Sequence, residues 1–137
     1  MTIEGSCTRP LLVFLVDDEP AIVSTLAGIL RSTGCSVRAF LSGSDLIACR
    51  SEVPPDAVIT DFVMQPVDGL RVAAWVKNNY PRARIILITT DKHLLRRAGD
   101  RQLPFAVLSK PLDSAALIAA VHGIDLDEAA IPDSPAV

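Results

Sequence analysis

Short unbroken apolar runs alternate along this chain with longer segments in which apolar residues return every three or four positions. Leu11 to Val16 is apolar throughout and stops at Asp17-Asp18-Glu19, as expected of a strand buried on both faces of a parallel sheet. Beyond Pro20, a residue suited to a first helical turn, Ile22, Leu26, Ile29 and Leu30 keep helical spacing up to Gly34, which suits a C-terminal cap. Ser36 to Phe40 reads as a second strand, and Ser44 to Cys49 as a short helix capped by Ser42 or Ser44. Ala57 to Thr60, behind Pro54-Pro55, is a third strand that ends at Asp61. A helix from about Gly69 to Asn78 follows, with Leu70, Ala73 and Ala74 assigned to the core. Arg84 to Thr89 is a fourth strand, rich in β-branched residues. A weak helix over Asp91 to Ala98, a fifth strand over Phe105 to Leu108 and a last helix over Leu112 to Val121, with Leu117, Ile118 and Val121 as its stripe, complete the pattern.

Strand and helix thus alternate five times, the signature of an α/β domain: a (βα)5 doubly wound parallel sheet in three layers, with helices on both faces. In such sheets ligands bind at the carboxyl ends of the strands. The first polar residues beyond each strand are therefore the ones to examine. They are Asp17 and Asp18 after the first, Asp61 after the third, Thr89-Thr90 after the fourth and Ser109-Lys110 after the fifth.

Composition narrows the rest. With 137 residues, half of them apolar, the chain makes one domain with a full core. We divide it into a polar lead-in (1–10), the domain itself (11–122) and an acidic tail (123–137). A net charge of -3 with 13 scattered Lys and Arg residues argues against a nucleic-acid surface. Cys7, Cys35 and Cys49 are odd in number and lack CxxC spacing, so neither a disulfide framework nor a zinc site is supported, and a cytoplasmic location is the expectation. No signal peptide pattern and no apolar run of membrane-spanning length is present, so no membrane partner is expected. Trp75 and Tyr80 read as packing or surface residues, and His93 and His122 as solvated helix residues.

Taken alone, Asp61 reads as well as a loop cap as it does a site residue. Its neighbours change that. Carboxylates about 5 Å apart repel by roughly 3 kcal/mol per pair at an effective dielectric near 20, so Asp17, Asp18 and Asp61 at one sheet edge imply a shared cation. An all-oxygen set favours a hard ion such as Mg²⁺, which takes phosphate as a further ligand. The hydroxyl of Thr89 and the ammonium of Lys110 suit the oxygens of a phosphoryl group, and the set reads as a place where an aspartate attacks phosphorus.

These residues resemble a receiver domain of a two-component response regulator. The resemblance rests on Asp17-Asp18, on Asp61 with Met64, Pro66 and Gly69 behind it, on Thr89, and on Lys110-Pro111. It spans roughly Leu11 to Val121. It implies a flavodoxin-like sheet with strand order 2-1-3-4-5 and Asp61 as phospho-acceptor. It also implies Mg²⁺ held by Asp17, Asp18, Asp61 and the backbone carbonyl of Val63. Thr89 would bond a phosphoryl oxygen, and Lys110 would pair with the phosphoryl group, its orientation set by a Lys110-Pro111 peptide that is cis in the family. The implied partners are a sensor histidine kinase or histidine phosphotransfer protein and a downstream protein target. A homodimer is implied through the face of the fourth helix, fifth strand and fifth helix.

Three departures stand out. Gln65 intervenes between Met64 and Pro66, Val107 replaces the usual aromatic three residues before Lys110, and Asp100 to Pro104 replaces the usual Gly-Ala ahead of the fifth strand. The last two put the aromatic switch and the output face in question. An aspartate-nucleophile phosphohydrolase would carry an Asp at Val63 and a cap domain, and a phosphorylation-independent pseudo-receiver would have lost an acid or the lysine. A dinucleotide half-domain would need a Gly-rich turn where Asp17-Asp18 stands. The expected role is phospho-acceptance in signalling, not turnover as an enzyme. The tail is too short for a DNA-binding output domain, so the chain reads either as a stand-alone receiver or as part of a longer regulator.

Overall fold

The computed structural model describes residues 10–49, 53–62, 68–91, 93, 95–96, 106–110 and 112–123. Five parallel strands form one sheet: β1 (Leu12–Val16), β2 (Ser36–Phe40), β3 (Ala57–Asp61), β4 (Arg84–Thr89) and β5 (Ala106–Ser109), in the order β2-β1-β3-β4-β5. The helices are α1 (Pro20–Ser32), α2 (Gly43–Ala48), α3 (Gly69–Asn79) and α4 (Ser114–Val121). Between β4 and β5, His93, Leu95 and Arg96 have helical backbone. The remainder of that predicted helix and the loop at 100–104 lie outside the described residues, as do 1–9 and 124–137. Among the described residues no helix is long and apolar enough to cross a membrane.

The alternation predicted a parallel sheet with helices on both faces, and the flavodoxin-like strand order is the one the family resemblance implied. Strand alternation sorts the core into two layers. Val13, Leu15, Ala57, Ile59, Ile86 and Ile88 face α1 and α4, packing with Leu26, Leu30, Leu117 and Val121. Phe14, Val16, Val58 and Ile85 face the other way, against Leu46, Val72, Ala73 and Val76 of α2 and α3. An edge-on contact of Phe14 with Tyr80, ring centroids 6.1 Å apart, closes the second layer, so Tyr80 is a packing residue.

The helix ends follow local chemistry. Pro20 opens α1, and Gly34, with φ of +93°, lets the chain reverse behind it. Ser42 caps α2 by accepting from the Asp45 N–H at 3.0 Å. Asp68 does the same for α3, accepting from Arg71 N–H at 2.9 Å. Two sequence expectations need correction. Leu70 and Ala74 are exposed, whereas Val72, Ala73 and Val76 form the buried face of α3. The last helix starts at Ser114, because the Asp113 carboxylate accepts from Ala115 N–H at 3.0 Å and caps it there. Leu112 precedes the helix and packs against the first core layer.

Candidate functional site

The site forms where β1, β3, β4 and β5 end. Asp17 continues the phase of Val13 and Leu15, so its carboxylate emerges on the α1 side of the sheet, and it is almost fully buried. Its Oδ1 accepts from the Glu19 N–H at 2.9 Å. Asp61 likewise continues the phase of Ala57 and Ile59 and is buried, while Asp18 is exposed. One carboxylate oxygen from each of Asp17, Asp18 and Asp61 lies within 4.8 Å of the others. The Lys110 ammonium sits 3.0 Å from Asp61 Oδ1.

Burial foremost pushes the Asp17 carboxyl above its usual range. The charges of Asp61 and Asp18 push the same way, while the Glu19 amide and Lys110 oppose them. Among the described residues, three carboxylates thus face one ammonium. That donor set, all oxygen and short of positive charge, fits a hard divalent cation.

Thr89 joins the group through the backbone. The Lys110 N–H donates to its carbonyl at 3.0 Å, tying the end of β5 to the end of β4. Thr89 itself is buried, and its Oγ1 accepts from the Asp91 N–H at 2.9 Å, so the hydroxyl keeps its donor capacity. Val107 is half-buried on β5. The structure therefore gathers Asp17, Asp18, Asp61 and Lys110, with Thr89 one residue beyond Ile88, the β4 partner of Asp61. Val63, Met64, Gln65, Pro66 and Pro111 lie outside the described residues, and with them the Val63 carbonyl and the Lys110-Pro111 peptide.

Two residues hold the Asp61 backbone: Gly69, which the sequence marked without showing why, and Thr60, which it did not mark. A side chain at Gly69 would collide with the Asp61 carbonyl and with Phe62 Cα, so only glycine lets α3 begin this close to the Asp61 backbone. The Gly69 N–H donates to the Phe62 carbonyl at 2.9 Å. Thr60, fully buried, donates its hydroxyl to the Asp61 carbonyl at 3.0 Å. The only sequence trace of Thr60 is a single hydroxyl inside an apolar run. Beside the acids, an open groove of about 500 Å³ runs between α1 and the start of α4, lined by Ile22, Leu26, Ile29 and Leu112 and reaching Asp17 and Lys110.

A family model for the response regulator receiver domain matches residues 13–122. The chain belongs to that family. Among curated relatives, the transcriptional regulatory protein GlrR of Escherichia coli (strain K12) is 31% identical over 114 residues, covering 82% of this chain and 26% of that protein. The DNA-binding transcriptional regulator NtrC of Salmonella typhimurium is 28% identical over 112 residues, covering 81% of this chain and 24% of that protein. The receiver thus spans about a quarter of these relatives. Among solved structures, a response regulator receiver protein from Sinorhizobium medicae superposes with a TM-score of 0.72 at 31% identity, covering 83% of this chain and 93% of that one. The chemotaxis response regulator CheY4 of Vibrio cholerae also gives 0.72, at 20% identity over 84% of this chain and 98% of its own, and speaks to the fold alone. As a receiver, the chain is a signalling module of two-component systems, and no enzymatic family is indicated.

Proposed function

We propose that this receiver accepts a phosphoryl group on Asp61 from a sensor histidine kinase or a histidine phosphotransfer protein, and that the modification switches its binding to a downstream protein. The observation that carries the reading is the Lys110 ammonium 3.0 Å from Asp61 Oδ1, with the Asp17 and Asp18 carboxylates alongside. An Asp61 carboxylate oxygen attacks phosphorus, the P–N bond to the donor imidazole breaks with its electron pair leaving on nitrogen, and an acyl phosphate results. Lys110 then pairs with a phosphoryl oxygen, and the Thr89 hydroxyl donates to another. Asp17, Asp18 and Asp61, with the Val63 carbonyl, would hold Mg²⁺, whose charge would neutralise the phosphoryl oxygens. Burial of Asp61 limits the access of water to the acyl phosphate.

The apolar groove that reaches Asp17 and Lys110 supports approach of a protein donor along α1. Cys35 and Cys49 are free thiols, which fits a reducing, cytoplasmic setting. We assign homodimerisation, if the chain dimerises, to the face built on β5 and α4.

Acetyl phosphate or phosphoramidate with Mg²⁺ is expected to add one phosphoryl group, read by intact mass, and Asp61→Asn is expected to add none. A wild-type chain that stays unmodified would sink this reading in favour of a phosphorylation-independent interaction module. Steady release of phosphate from unrelated monoesters would favour a phosphohydrolase instead.

A further inference from the structure

We infer that Thr60 is a positioning residue for Asp61 that works from the opposite face of the sheet, through the Asp61 carbonyl; its consequence for reactivity rests on the receiver reading above. Along β3, Ala57 and Ile59 pack in the layer that also carries α1 and α4, whereas Val58 packs against α2 and α3. Thr60 follows Val58 in phase. Its side chain therefore enters the apolar α3-facing layer while the Asp61 carboxylate leaves on the other side.

Nothing about the shape of that layer calls for a hydroxyl. Val16 on β1 is the register partner of Thr60, and both are fully buried, so a valine would fill the place. A hydroxyl in such surroundings costs stability unless it is bonded. Here it is bonded, and the acceptor is the carbonyl of the residue proposed to react, at 3.0 Å.

The same peptide unit is held at its other end. Its N–H, that of Phe62, donates to the Ile88 carbonyl at 2.9 Å, and the Asp61 carbonyl lies so close to Gly69 that a Cβ there would collide with it. Hydroxyl, β4 and α3 thus fix the plane of the Asp61–Phe62 peptide, and that plane sets the direction of the Asp61 side chain. The direction matters because Asp61 Oδ1 has to stay 3.0 Å from Lys110 Nζ and within 4.8 Å of its companion acids. Small angular errors in a reacting group are costly in rate.

Thr60→Val removes the donor and keeps the shape, and Thr60→Ser keeps the donor. Two readouts are measured on each folded variant: hydrogen exchange at the Phe62 amide, and the rate of phosphorylation by phosphoramidate with Mg²⁺. For Thr60→Val the Phe62 amide is expected to exchange about fivefold faster, as loss of one buried hydrogen bond implies, with the Val58 amide unchanged. Phosphorylation is expected to slow about tenfold, a size in keeping with a misdirected reacting group. Thr60→Ser is expected to match the wild type in both. Wild-type exchange at Phe62 in Thr60→Val overturns the inference, and so does a Thr60→Ser variant as impaired as Thr60→Val, since methyl packing would then be the cause. Wild-type phosphorylation in a Thr60→Val chain with faster exchange overturns the link to reactivity. A wild-type chain that takes no phosphoryl group defeats the receiver reading itself, while the exchange arm still decides whether Thr60 holds the peptide.

Discussion

Asp17 is a carboxylate that the fold buries beside two others, and its ionisation works against folding. The sign follows from the direction of its shift. Burial raises the folded pKa above the unfolded value of 3.8, so the folded state holds more protons between those two values, and stability falls as pH rises through that window. Asp17→Asn removes the cost and keeps an oxygen for the Glu19 amide. In chelator at pH 7 this variant is expected to melt a few degrees above the wild type, at about 4 °C per kcal/mol for a domain of this size, and the difference should shrink toward pH 4. A calorimetric scan in which the variant melts below the wild type at pH 7 would contradict the assignment. Asp17, Asp18, Asp61 and Lys110 were legible in the sequence because each belongs to the first charged position or pair beyond an apolar run, where polarity is conspicuous. Thr60 was not legible, because a threonine inside a strand is also an ordinary β-branched packing residue.

The boundaries of the helices were legible where a cap or a breaker marks them, as Pro20 and Gly34 do for α1. On α3 the buried face was misread in part: Ala73 is buried as expected, but Leu70 and Ala74 are not. Leu70 drew the apolar stripe onto the wrong side, whereas the segment's orientation is set by Gly69 abutting the Asp61 backbone and by the Asp68 cap, neither of which periodicity reports. With its entry fixed there, α3 turns Val72 and Val76 inward and leaves Leu70 42% exposed. Val76→Ala is therefore expected to cost about 2 kcal/mol and Leu70→Ala less than about 0.5 kcal/mol. Gly69→Ala is expected to cost about 1 to 3 kcal/mol, since two backbones have to part. Urea titration of the three variants checks the ranking, and a Leu70→Ala cost equal to that of Val76→Ala would restore the original face.

Across the whole molecule, residues far apart in sequence are brought to one sheet edge by topology alone. The order β2-β1-β3-β4-β5 sets β1 beside β3 and β3 beside β4, and β5 next to that, so the acids of β1 and β3 share one edge with Lys110. That convergence was legible as soon as the alternation was, because parallel strands all end on the same side. The course of the chain at Gln65 and over 100–104 was not, since those stretches carry no periodic signal. The site is thus a long-range device, and occupancy by a cation should couple to the stability of the entire domain. A ligand that binds the folded state alone adds about 2.7 kcal/mol at a hundredfold excess over its Kd. At about 4 °C per kcal/mol, Mg²⁺ should then raise the wild-type Tm by roughly 10 °C. Asp18→Asn leaves the fold intact, because Asp18 is exposed, yet it removes one of the three carboxylates, so its Tm should respond to Mg²⁺ only at much higher concentration. Asp17→Asn should start higher and rise less, since relief of repulsion and gain of a cation draw on the same buried charge. A wild-type Tm indifferent to Mg²⁺ while Asp17→Asn still melts higher in chelator would mean that the acids repel but hold no cation, leaving Lys110 as the partner of Asp61.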